Sequence, residues 1–190
     1  LAADLAEQHE RSDAETLEKD RIEVQVAGRL MLRRTMGKLS FGNLQDMSGT
    51  IQISVADNDA GKDTHELFKK QVDIGDILGI EGELFRTRKG ELTVRARKLR
   101  LLAKCLRPLP EKWHGLSDQE TRYRQRHLDL ITNADSRLRF VQRSRAIQAV
   151  RQFLLDRRYL EVETPMMQPI PGGAAARPFG THHHGLGMEP

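Results

Sequence analysis

Residues 22–32 read IEVQVAGRLML, and this stretch decides the fold of the first half of the chain. Val24 and Val26 lie on one side of an extended backbone, whereas Glu23 and Gln25 lie on the other. An alternation of period two with one apolar side is typical of a half-buried β-strand. The stretch therefore predicts that a β-sheet starts here.

The same alternation returns further along the chain. Strand-like runs cover 39–45, 51–55, 77–85 and 91–102, with turn residues between them. A short helix, which we expect Thr64 to cap, separates the third run from the fourth. This element order is that of an OB-fold, a five-stranded β-barrel that often binds oligonucleotides. A five-stranded barrel with no nucleic-acid role has the same order and stays the alternative.

The alternating sequence pattern ends after the fifth strand-like run. Pro108 and Pro110 cannot join a sheet or a helix interior, so they indicate a stiff linker. Ser117 and Glu120 have the spacing of a capping box, which predicts a helix towards Ile131. A second helix is predicted from about Asp135, followed by a short strand at 160–163.

These patterns predict four segments. They are a lead-in at 1–20 that contributes nothing to the core, a barrel domain at 21–103, a linker at 104–116 and a second domain at 117–190. The second domain mixes helices with a strand, so we expect an α+β architecture there.

Charge and cysteine content narrow the function classes. Lys+Arg number 31 against 27 for Asp+Glu, and basic residues recur between Arg122 and Arg158. That run suits a phosphate-rich partner, although a solvated helix face has the same composition. The single cysteine excludes an internal disulfide and fits a reducing compartment. No apolar run approaches the roughly 20 residues that cross a bilayer, so we expect a cytoplasmic protein without a membrane partner.

Neither a metal site nor a familiar nucleotide loop is indicated. The three adjacent histidines at 182–184 point in different directions and lack a distant cysteine or carboxylate pair that would complete a tetrahedral set. The chain also lacks the G-x-x-x-x-G-K-S/T and G-x-G-x-x-G patterns. We therefore expect no metal, P-loop or Rossmann site.

The predicted barrel carries side chains of the three types that read single-stranded nucleic acid. Arg34 supplies a guanidinium, Phe41 an aromatic ring and Gln52 an amide. On pattern alone, Phe41 fits a core position as well as a stacking platform, and Gln52 fits a plain exposed position.

Six segments follow one another in an order that resembles class II lysyl-tRNA synthetases: VAGR at 26–29, MGK at 36–38, LQD at 44–46, GDILG at 75–79, LRPLPEKWHGL at 106–116 and RYRQRHLDL at 122–130. Aspartyl- and asparaginyl-tRNA synthetases share the barrel and the Arg-Tyr-Arg-x-Arg stretch, but we do not expect them to share the Pro-Leu-Pro linker. The resemblance therefore favours lysine. It implies an OB-fold anticodon-binding domain followed by the first α+β elements of a class II catalytic domain.

The resemblance also implies roles for particular residues. Arg34, Phe41 and Gln52 match the residues that recognise the central uridine of the anticodon. The loop at 171–179 resembles the loop over the lysine site, in which Gly172 matches a lysine-contacting glycine. Residues 136–165 look like motif 1, the family's dimer interface, with an apolar stripe and a terminal proline at Phe140, Ile147, Val150, Leu154 and Pro165.

The activity implied is that of a lysine–tRNA ligase, which uses ATP and Mg²⁺ to join L-lysine to tRNA(Lys) in a homodimer. The family's ATP- and magnesium-binding motifs 2 and 3 do not occur in these 190 residues. We therefore assign no catalytic, ATP-binding or Mg²⁺-binding residue to this chain and expect it to be a fragment that is not catalytic alone. A truncated paralogue that acts as a non-catalytic tRNA-binding module is the alternative. A lysyltransferase for a translation factor, which lacks the barrel, fits least.

Overall fold

The computed structural model describes residues 1–110, 116–165 and 179–187. Its elements, in chain order, are α1 Ala2–Gln8, α2 Ala14–Asp20, β1 Glu23–Met36, β2 Leu39–Gln45, β3 Thr50–Ala56, α3 Asp57–Ala60, α4 Lys62–Lys70, β4 Ile77–Arg86, β5 Leu92–Ala103, α5 Gln119–Arg124, α6 Arg126–Thr132 and α7 Ala134–Leu155. The chain divides into two compact units, Leu1–Asn133 and Ala134–Pro190. The four segments expected from the sequence stay a prediction.

The five strands close into a barrel in the order β1-β2-β3-β5-β4. Neighbouring strands are antiparallel except β3 and β5, which are parallel. The long strand β1 pairs with β4 through 23–29 and with β2 through 29–36. A register shift between Leu30 and Leu32 bends β1 between its two partners. The predicted OB-fold is therefore confirmed.

The barrel interior is filled by the inward positions of the alternating runs. Phe68 and Val72, from α4 and the residues that follow it, complete this core. Each fully buried side chain of this size contributes about 1.5–3 kcal/mol to stability. The largest buried strand residues are Leu30, Leu44, Ile53, Val55, Leu78, Ile80, Leu84 and Val94.

The first twenty residues contribute to the core, so our prediction for them was wrong. Helix α2 contacts β4 and buries Leu17 completely. Arg86, at the end of β4, donates from Nε to the Ser12 carbonyl at 2.7 Å and from Nη2 to the His9 carbonyl at 2.8 Å. The acidic composition of the segment gave no indication of this packing. A short surface helix can be held to the barrel by one buried leucine and by hydrogen bonds to backbone carbonyls.

Two predicted helix caps were also wrong. Helix α4 begins at Lys62 after Gly61, so Thr64 lies in its first turn. Helix α5 is capped by Asp118, whose carboxylate accepts a hydrogen bond from the Thr121 backbone N–H at 2.7 Å. Serine and aspartate cap helices about equally well, so the sequence could not choose between Ser117 and its neighbour.

Asp46 links α1 to the turn between β2 and β3 through hydrogen bonds. Its carboxylate accepts hydrogen bonds from the backbone N–H groups of Ala2, Ser48 and Gly49 at 2.7, 2.8 and 2.9 Å and from the Ser48 hydroxyl at 2.7 Å. Burial raises the pKa of Asp46, but the hydrogen bonds from Ser48, Ala2 and Gly49 outweigh it and lower the pKa to about 2.

We expect Asp46→Asn to lower the free energy of unfolding by about 1–3 kcal/mol at pH 7, because an amide replaces the ionised acceptor. The pKa of the folded state lies below the unfolded value of about 3.9, so the stabilisation is present above that value and is lost as the pH falls towards 2. Urea unfolding at pH 7 and pH 3 measures this. The difference between the variant and the wild type should shrink at pH 3, while the exposed control Asp20→Asn stays near the wild type at both pH values. A difference that does not change with pH would contradict this account.

Candidate nucleic-acid interface

Arg34 and Phe41 lie side by side on the outer face of the barrel. They are directly paired across β1 and β2. Phe41 is half-buried between the buried residues Ser40 and Gly42, so its ring projects to the opposite side of the strand from the core. Arg34 is exposed. An aromatic surface and a cation are thus adjacent, as stacking of a base beside its phosphate requires.

Gln52 joins the same face from β3. It pairs with Asn43, which follows Phe41 by two residues and therefore shares its side of β2. The Gln52 amide nitrogen donates to Glu91 Oε2 at 2.8 Å, and its oxygen accepts from the Thr93 hydroxyl at 2.9 Å. Both ends of the amide are held, so its orientation is fixed before any ligand binds.

Glu91 is a candidate site residue that the sequence reading missed. It lies just before β5, and its carboxylate reaches Gln52 because β5 pairs in parallel with β3, with Thr93 opposite Gln52. Only the closure of the barrel brings these segments together. The one sequence signal was an acidic residue directly after the Gly90 turn.

The two adjacent arginines at the end of β1 have different environments. Arg33 Nη1 donates to the carbonyls of Phe68 at 2.9 Å and Lys69 at 3.2 Å, and also to that of Val72. Arg33 therefore caps the C-terminal end of α4, where carbonyls lack helical partners. Of the pair, Arg34 is the one that lies on the outer face beside Phe41.

The basic run from Arg122 to Arg158 is used in part for internal ion pairs. Buried Asp129 accepts from Arg122 Nε at 3.0 Å and from Arg126 Nη1 at 2.8 Å. Arg124 pairs with Glu120, and Arg151 pairs with Glu161. These four arginines therefore pair with carboxylates of the chain itself.

The apolar stripe predicted to form a dimer interface lies on α7. Phe140, Ile147, Val150 and Leu154 are 38–61% exposed, and Pro165 is also exposed. The predicted strand at 160–163 does not form, since the described residues offer it no neighbouring strand. The interface stays a prediction, and Gly172, the predicted lysine-contacting residue, lies outside the described residues.

The described residues carry neither a metal-ligand cluster nor a helix that could span a membrane. They contain no group of three or more histidine, cysteine, aspartate or glutamate side chains that could hold a metal ion. Within the same part of the chain, none of the helices is both long and apolar enough to cross a membrane.

Two family models match the chain, one after the other. Residues 24–102 match the OB-fold nucleic acid binding domain, and residues 118–188 match the tRNA synthetases class II (D, K and N). Together they define the class: an OB-fold nucleic acid binding domain joined to class II tRNA synthetase sequence. Within that class, the relatives of this chain are lysine–tRNA ligases, as the resemblance in its motifs predicted.

The similarity to these relatives extends along the whole chain. The chain is 59% identical to the lysine–tRNA ligase of Thiobacillus denitrificans over 99% of its length, 56% identical to that of Nitrosomonas europaea over 100% and 58% identical to that of Idiomarina loihiensis over 100%. It spans 37–38% of the length of these three relatives.

Proposed function

We propose that the barrel binds the anticodon of tRNA(Lys) and that the chain is part of a lysine–tRNA ligase. The observation that carries the proposal is the grouping of Arg34, Phe41 and Gln52 on one outer face of an OB-fold barrel. The relatives named lysine–tRNA ligases supply the amino acid and the tRNA. The complete enzyme would activate L-lysine with ATP and Mg²⁺ and transfer it to the tRNA.

The chemistry of the face suits a uracil base. The Watson–Crick edge of uracil has an N–H donor between two carbonyl acceptors, and its ring stacks on an aromatic side chain. An amide nitrogen carries two N–H groups and an amide oxygen has two lone pairs, so Gln52 can bond a base while it keeps Glu91 and Thr93. The Glu91 carboxylate adds an acceptor for the uracil N–H, and the Arg34 guanidinium adds donors.

Cytosine would meet the same face with the wrong pattern, because its ring nitrogen accepts a hydrogen bond where uracil donates one. A carboxylate that faces this nitrogen leaves two acceptors in contact without a proton between them. We therefore assign the choice of uracil over cytosine to Gln52 and Glu91 together, and the sequence-independent part of the affinity to Phe41 and Arg34.

The other roles expected from the sequence are part of this proposal. Gly172 would contact lysine, and the stripe on α7 would contribute to a homodimer in the cytoplasm. We assign no step of ATP or Mg²⁺ chemistry to the described residues, which offer no metal-ligand group of three.

Phe41→Ala is expected to weaken binding of an RNA stem-loop with a UUU anticodon by about 1–3 kcal/mol, because the base loses its stacking surface. Fluorescence anisotropy of labelled RNA measures the change. Replacing the central uridine by cytidine should weaken binding to the wild type by a similar amount, because Gln52 and Glu91 then meet a mismatched hydrogen-bond pattern.

Phe41→Tyr keeps the ring and should bind almost as the wild type does. Met47→Ala removes an apolar side chain that is 88% exposed on the turn after β2 and serves as the control for nonspecific loss. Unchanged affinity in Phe41→Ala would refute the anticodon site.

The alternative of a non-catalytic module is tested separately, since lysine-dependent ATP–pyrophosphate exchange by the chain would exclude it.

A further inference from the structure

The outer face of the barrel continues from Phe41 across two further strands. Phe41 pairs with Ser54 on β3, and Ser54 pairs with Arg95 on β5. Two strand spacings, about 9–10 Å, therefore separate the backbone at Phe41 from that at Arg95. Ser54 lies between them in the strand order, and its side chain is small and buried.

Arg95 is held in a fixed position on this face. Its guanidinium carbon lies 4.6 Å from the centroid of the Phe85 ring, a cation–π contact. Phe85 pairs with Thr93, the residue whose hydroxyl bonds to Gln52. Arg95 is thus packed against Phe85, the cross-strand neighbour of a residue that orients the Gln52 amide.

The ion pair of Arg95 is weak. Its Nη2 atom lies 3.4 Å from Glu18 Oε1, and the Glu18 side chain is 66% exposed. An exposed pair at this distance contributes little to stability, because water screens the charges. The oxyanion of a bound ligand can therefore compete with Glu18 for the guanidinium.

Space for such an anion exists beside Arg95. An open groove of about 450 Å³ is lined by Glu18, Phe85 and Arg95, together with Leu17, Arg21, Asn58, Asp59, Glu83, Leu84 and Arg97. Its volume falls in the range of about 300–1,000 Å³ that ligand sites occupy. Three arginines and three carboxylates line the groove, and Glu18 competes with an incoming anion because it lies within ion-pair distance of Arg95.

We propose that Arg95 binds the phosphate of the nucleotide next to the one stacked on Phe41 and that Glu18 is the anion it displaces. The inference rests on the proposed anticodon function and extends that site by one nucleotide along β5. Guanidinium groups bind phosphate with charge-assisted hydrogen bonds, and such contacts position a strand without reading its sequence.

The proposal makes predictions of opposite sign for the two partners. Arg95→Met should weaken binding of the UUU stem-loop about tenfold and lower the slope of log affinity against log salt by about one. Glu18→Gln should strengthen binding about two- to fivefold, because the phosphate no longer competes with a carboxylate. Arg95→Lys keeps the charge and should lose less affinity than Arg95→Met. Arg100→Met, on β5 outside the groove, controls for the change in net charge.

Anisotropy titrations at several salt concentrations, with thermal melts of each variant, separate the outcomes. If Arg95 only ties α2 to the barrel, Glu18→Gln leaves affinity unchanged or lowers it, and that result overturns the inference. If Arg95→Met does not fold, the RNA affinities of Glu18→Gln and Arg95→Lys still test the inference. An effect of Phe41→Ala with none in the Arg95 and Glu18 variants overturns the inference alone, whereas no effect in any of them overturns the proposed function as well.

Discussion

Gly82→Ala is expected to abolish folding of the barrel. A Cβ atom at this position would lie 2.0 Å from the Arg95 carbonyl oxygen, 2.8 Å from its carbonyl carbon and 3.1 Å from Ala96 Cα. All three atoms are backbone, so no side-chain rotation relieves the overlap. Gly82 pairs with Ala96 beside a register irregularity in the β4–β5 ladder, and this close approach of two strands needs a residue without a side chain.

The overlap can be relieved only if β4 separates from β5, and both strands supply core residues. We expect a loss above about 4–5 kcal/mol, which exceeds what most single substitutions cost. Far-UV circular dichroism and urea unfolding measure it. Gly79→Ala, three residues earlier on β4, is the matched control, because its Cβ would meet only the Leu102 side chain at an ordinary 3.4 Å. A folded Gly82→Ala protein with stability near that of the control would contradict the prediction.

The strands were predictable because each follows an alternation that the core enforces. The run at 39–45 has the same bounds as β2, since Leu44 faces inward and the flanking turns are marked by glycine, aspartate and serine. The starting residues of the helices were predicted less accurately than the strands. Caps depend on which of two adjacent polar residues turns its side chain towards the backbone, and at Ser117 and Asp118 local spacing does not decide this.

Part of the candidate site was predicted from the sequence, because its residue types and the family resemblance indicated it. Arg34, Phe41 and Gln52 lie on adjacent strands, so period-two reasoning places them on one face once the strand order is known. Glu91 and Arg95 reach that face only through the parallel contact between β3 and β5, which joins segments about 40 residues apart. Pairings of this kind have no local sequence signal, so these two residues required the structure.

A chain of polar groups, buried at Ser40 and His65 and partly buried at Asp57, joins β2 to the two short helices after β3. The Ser40 hydroxyl lies 2.8 Å from His65 Nε2, and His65 Nδ1 lies 2.6 Å from Asp57 Oδ1. Neutral His65 satisfies both contacts when Nδ1–H donates to Asp57 and Nε2 accepts from Ser40. The order serine, histidine, carboxylate is that of a hydrolase triad, but the Ser40 hydroxyl is fully buried and no substrate can reach it. The chain of bonds is therefore structural.

His65→Ala is expected to lower the free energy of unfolding by about 3–5 kcal/mol. The substitution leaves a cavity in the core and removes the partner of the buried Ser40 hydroxyl and of Asp57, and each of these losses destabilises the folded state. Ser40→Ala removes one hydrogen bond without a large cavity and should cost only about 1–2 kcal/mol. Thr64→Ala, on the adjacent half-buried position, is the matched control and should cost less than either.

In a double-mutant cycle, Ser40→Ala should add little once His65 is alanine, because the two residues act through one bond. Fully additive effects, or a His65→Ala loss no greater than that of Thr64→Ala, would show that the bonds among Ser40, His65 and Asp57 do not hold α3 and α4 against the barrel.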